Sequence, residues 1–164
     1  MSEEKYTHFF GIAKNGLEYG EAYKGSIAQQ SNSVSDKIHE IGICLVLHSD
    51  LHIQNAIPSG RIFEAAAASA IIISDKNPFV DRYFKDSVLY IDQKKSGEEM
   101  FSQIDAHVNW IFSNLEKAQK MAKRSYQIFI EQFLLEKQLL RFNKWQTINA
   151  YVDESSSLIP DDRK

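Results

Sequence analysis

Ser59, Gly60 and Arg61, followed one helical turn later by Glu64, are the residues whose types and spacing can do chemistry in this chain. Pro58 fixes the backbone entry, Ser59 can cap a helix, Gly60 lets a ligand approach the main chain, and Arg61 can fork onto a phosphate. Free backbone N–H groups and the positive end of the helix dipole would converge there on an anion. Glu64 could then accept hydrogen bonds from sugar hydroxyls. The same residues also fit an ordinary capped helix carrying a surface arginine.

Position favours the first reading. Ile41 to Leu47 is an uninterrupted apolar run of strand length, the form of a parallel strand covered on both faces, and His48, Ser49 and Asp50 stand at its end. In open α/β sheets, ligands lie beyond the carboxyl ends of the strands. Glu64 sits inside the apolar segment Ile62 to Ala68, where an unpaired buried carboxylate would be costly, so it must face solvent, a partner or a ligand. The alanines of that segment let the helix lie close to the sheet. His48 and His52, with Asp50 between them, do not make a metal site in this reading. Such a pair chelates well only on a helix, and no third ligand follows at a clear spacing. His48 or Asp50 is better placed as a polar group lining the crevice, with a solvated loop as the alternative for Asp50.

The surrounding elements follow from periodicity and punctuation. Thr7 to Ile12 and, more weakly, Ala22 to Ile27 are strand candidates, and Ser33-Val-Ser-Asp opens a short helix through Ile38 to Glu40. Helix Arg61 to Ser69 is followed by strand Ala70 to Ile73. Asn77-Pro78 is an N-cap with proline at the first helical position, predicting a helix over Pro78 to Phe84, and Ser87 to Asp92 supplies another strand. This alternation predicts an α/β fold, a Rossmann-like parallel sheet with helices on both faces. Beyond Gly97 there is neither Gly nor Pro until Pro160, which predicts a long helical arm. It opens on the capping box Ser96-Gly-Glu-Glu, restarts at Ser113-Asn-Leu-Glu, and carries an apolar stripe from Leu115 through Phe129 and Phe133 to Trp145.

Composition narrows the function classes. At 164 residues, the chain suits one domain with an appended arm. A formal charge of −3 gives no basic excess to replace counterions along a phosphate backbone, so nucleic acid is not the expected partner. Cys44 is the single cysteine, which excludes an intramolecular disulfide and fits a small core residue in a reducing compartment. No apolar run approaches the roughly 20 residues that a membrane span requires, and a cytoplasmic location is expected. Nucleophile-elbow, Walker, Cys-x-x-Cys and complete dinucleotide motifs do not occur.

The block from Gly42 to Asp92, with Leu47-His-Ser-Asp, Ile57-Pro-Ser-Gly-Arg-Ile-Phe-Glu-Ala-Ala-Ala-Ala and Asp86-Ser-Val-Leu-Tyr-Ile-Asp, resembles the C-terminal, donor-binding domain of GT-B glycosyltransferases of the "glycosyl transferases group 1" type. Weaker similarity extends from about Tyr6 to Trp145. The resemblance implies that Glu64 binds the ribose of a nucleotide-sugar and that Ser59, Gly60 and Arg61 form the diphosphate-binding helix entrance. His48, Ser49 and Asp50 would line the sugar-facing side. No metal or other cofactor is implied. Ala56 departs from the pattern, since many retaining members carry a glutamate at that position.

The expected organisation is a nucleotide-sugar-binding domain over 1–150, with its helical arm from about 97, and a flexible tail over 151–164. The expected function is binding of a nucleoside-diphosphate sugar for transfer to an acceptor hydroxyl. The acceptor half and its catalytic base would lie on a missing N-terminal domain or partner subunit, leaving this chain with little or no activity alone. A non-catalytic binding or interaction module on the same fold is the alternative.

Overall fold

The structure, a computed structural model, describes residues 23–27 and 33–157. The strand candidate Thr7 to Ile12 lies outside them, and of Ala22 to Ile27 the described part shows an isolated bridge at Tyr23. Helix α1 (Ser33–Ile41) leads into strand β1 (Ile43–Val46), which is followed by the short helix α2 (Asp50–Gln54) and by α3 (Gly60–Ala67). Strand β2 (Ile71–Asp75), helix α4 (Pro78–Tyr83) and strand β3 (Val88–Ile91) complete the alternating part. Helices α5 (Gly97–Ser113), α6 (Leu115–Ile128) and α7 (Leu135–Ser157) form the arm.

Among the described residues, the sheet is three-stranded and parallel in the order β1-β2-β3. Ile43 pairs with Ile71 and Ile72 with Val88, so the three carboxyl ends emerge on one side. Alternation then sorts the side chains into two cores. Cys44, Val46, Ile72 and Val88 pack with Ile38 of α1, Ile62, Ala65 and Ala66 of α3, and Val80 of α4. Ile71, Ile73 and Ile91 pack with Ile111 of α5 and with Ala118 and Ala122 of α6. Helices therefore cover both faces, as the alternating pattern predicts.

Two expectations need correction. The strand buried on both faces is β2, in which all five residues are buried, rather than the run after Ile41. Strand β1 is an edge of the described sheet, and Leu45 is 42% exposed because α5 and α6 pack against β2 and β3. The second capping box does not form either. Ser113 spends its hydroxyl on Asn109 O at 2.8 Å, and Asn114 opens α6 without a side-chain cap. The first box, at Ser96 and Glu99, forms in both directions.

The arm is bent as well as long. A π-helical turn over Phe129–Phe133 and an extended Leu134 (ψ 136°) separate α6 from α7. The bend brings Phe133 against Phe63, Phe79, Tyr83 and Phe84, with ring centroids 5.2 to 6.0 Å apart. The Ser125 hydroxyl donates to Ser87 O at 3.1 Å, fixing α6 to the turn before β3. Beyond the bend, Leu135, Leu139, Leu140, Phe142 and Trp145 are exposed. No helix among the described residues is long and apolar enough to cross a membrane.

Candidate functional site

The carboxyl ends of the strands carry two neighbouring groups of polar residues. The first is the start of α3. Ser59 adopts extended backbone angles and caps the helix, its hydroxyl accepting from Arg61 N at 3.3 Å, while Ser59 O accepts from Ile62 N at 3.1 Å. Two of the helix-start amides are thus engaged within the helix itself. Gly60 is exposed, and an added Cβ would meet nothing within 4 Å, so its main chain stands open to approach.

Arg61 and Glu64 meet each other. Arg61 Nη1 lies 2.6 Å from Glu64 Oε2, with both side chains a little over two-fifths exposed. Glu64 therefore answers the question its apolar surroundings raise by pairing at i,i+3 on a half-open surface. A pair so exposed is worth about 1 kcal/mol or less. Both groups act electrostatically on the Cys44 thiol in β1, the strand whose Cys44 and Val46 pack with Ile62, Ala65 and Ala66 of α3. Burial is the larger influence there and pushes the thiol up to about 11, with Arg61 lowering it and Glu64 raising it.

The second group sits at the strand ends and centres on a residue that sequence reasoning missed. The His48 side chain is wholly buried against Asp75, the last residue of β2. His48 Nδ1 lies 2.5 Å from Asp75 Oδ1, and the His48 main-chain N–H donates to Asp75 Oδ2 at 2.7 Å. With its amide nitrogen turned toward this pair, Gln93 donates to Asp75 Oδ2 at 2.6 Å and to His48 O at 3.0 Å. Residues following β1, ending β2 and following β3 are joined in one cluster. The sequence signal for Asp75 was its place just beyond the apolar run Ala70 to Ile73, matching that of His48 beyond the run ending at Leu47.

Ser49 and Asp50 are exposed, and Ser49 caps α2, its oxygen accepting from His52 N at 3.4 Å. The turn after α2 is held by Asn77, which is wholly buried. Its amide donates to Ile57 O at 3.0 Å and His52 O at 3.4 Å, while its oxygen accepts from Phe79 N at 2.8 Å. Asn77 thus anchors the segment before Ser59 and caps α4 together. Among the described residues, no group of three or more His, Cys, Asp or Glu is arranged to hold a metal ion.

A cleft of about 600 Å³ opens beside the cluster, lined by Ile53, Lys76, Tyr90, Gln93, Lys94 and Gln103 among others. Ser59, Gly60, Arg61 and Glu64 do not line it. The structure therefore keeps the α3 start together as one unit and leaves the cleft to α2, β3, α5 and the residues that follow β2 and β3.

Curated proteins and solved structures give no match to the chain. A family model described as glycosyl transferase-like matches residues 9–143, in accord with the resemblance carried by the block from Gly42 to Asp92, and the chain belongs to that family.

Proposed function

We propose that this chain binds the donor of a glycosyl transfer, a nucleoside-diphosphate sugar, at the start of α3. The supporting observation is the grouping of Ser59, exposed Gly60, Arg61 and Glu64 on the first turns of a helix that overlies β1. The diphosphate lies against Gly60 and replaces Glu64 as the partner of Arg61, a weak surface pair being easily given up. Glu64, released, accepts the ribose hydroxyls. Charge developing on the leaving diphosphate is met by the guanidinium and the positive end of the helix dipole, an electrostatic form of catalysis. His48, Ser49 and Asp50 form the sugar-facing side, and the acceptor with its base is held by a second domain or subunit outside this chain.

A non-catalytic interaction module is the second reading, supported by the exposed apolar residues of α7. Calorimetric titration of UDP and GDP separates the two. The donor reading expects one of them to bind, with Arg61→Ala and Glu64→Ala each weakening it about tenfold, or about 1.4 kcal/mol. Absence of binding by the unaltered chain would leave the interaction module.

A further inference from the structure

The most completely buried polar cluster at the strand ends is the His48–Asp75–Gln93 group, and it contains an unmet valence. Asp75 receives the His48 main-chain N–H, the His48 ring and the Gln93 amide. A carboxylate can only accept, so the His48 ring places a hydrogen on Nδ1 toward Asp75. Nε2 is buried and has no protein partner. Buried polar atoms are paired as a rule, and a group held this firmly on one side and unmatched on the other points to a hydrogen-bonding partner supplied from outside the chain.

The position fits that role. The cluster lies at the carboxyl ends of three parallel strands, and Gln93 belongs to both the cluster and the wall of the adjoining cleft. Helix α2 begins two residues after His48 and has no buried side chain, so a shift of this helix to admit a ligand would uncover no core residue.

We propose that Asp75, steadied by Gln93, is a positioning residue of the donor site. It holds the His48 ring as the Nδ1–H tautomer, so that Nε2 is offered as an acceptor to a hydroxyl of the transferred sugar. The assignment of that hydroxyl rests on the nucleotide-sugar reading above.

Nitrogen-15 spectra of the histidine rings at pH 8, recorded on the full chain, read the tautomer directly. The expected result is Nδ1–H at His48 in the unaltered protein and a shift toward Nε2–H in Asp75→Asn, because the His48 main-chain N–H and the Gln93 amide hold the asparagine oxygen in the Oδ2 position and turn its amide group to the ring. UDP-glucose or GDP-mannose, whichever binds, is expected to bind Asp75→Asn about tenfold more weakly, while UDP or GDP changes by less than about twofold.

A hydrogen on Nε2, a doubly protonated ring, or a tautomer unchanged by Asp75→Asn would overturn the positioning role. Equal weakening of the diphosphate and its sugar conjugate would overturn the sugar contact. Should Asp75→Asn fail to fold, Gln93→Ala provides the same comparison, with a smaller tautomer shift and a sugar-selective loss expected. If the unaltered chain binds no nucleoside diphosphate, the donor reading and the sugar contact fail together, and the ring spectrum still decides whether Asp75 orients His48.

Discussion

His48 and Asp75 meet through two bonds, ring to carboxylate at 2.5 Å and main chain to carboxylate at 2.7 Å, with both side chains wholly buried. The pair joins the residue where β1 gives way to α2 to the last residue of β2. It fixes the strand ends beside which α3 begins, the floor beneath the site proposed for the donor diphosphate.

Asn77 serves the same floor from the other side. Asn77→Ala removes the α4 cap and takes the amide partner from Ile57 O in a part-buried turn. The expected loss is about 2 to 3 kcal/mol, against about 1 kcal/mol for Ser96→Ala at the exposed capping box of α5. Urea unfolding of the two variants reads the difference.

Phe133 holds the bend of the arm onto α3 and α4 through four ring contacts. Phe133→Ala is expected to cost about 3 kcal/mol, as measured by urea unfolding. Leu139→Ala on α7, whose side chain is exposed, is expected to change stability by less than about 0.5 kcal/mol.

Much of this arrangement was legible in the sequence. The caps at Asn77 and Ser96 and the helix start at Ser59 depend on local residue chemistry, and all three form where their residues predict. Asp75 was hidden because its partner is 27 residues away, a pairing that no local pattern encodes. Helix α2 buries nothing and so leaves no apolar period to read, although Ser49-Asp50 is a local start signal. The break at Leu134 has no Gly or Pro to announce it. It comes with the packing of Phe129 and Phe133 into the core, a tertiary cause.

Ala56, between α2 and α3, holds φ at 53°, in the left-handed region that side chains with a Cβ avoid. Ala56→Gly relieves that strain and is expected to add about 1 kcal/mol of stability, less the entropy glycine gains in the unfolded chain. A higher urea midpoint with an unchanged slope is the expected signature.

Cys44 gives the fold an alkaline signature. Burial raises its thiol from 9.0 to about 11, so the unfolded chain loses this proton at lower pH than the folded one. Its contribution to stability is whole below the unfolded value of 9.0 and is lost as pH rises toward about 11. Cys44→Ala is expected to flatten the decline in stability across that window, as followed by urea unfolding at successive pH values.

The most direct test of the donor reading is an amide NMR titration of the chain with UDP, GDP and their sugar conjugates. The account predicts that one nucleotide shifts the resonances of Gly60, Arg61 and Glu64, and that its sugar conjugate extends the shifts to His48, Ser49 and Asp50. Unmoved resonances at Gly60 and Glu64 at millimolar nucleotide would contradict it.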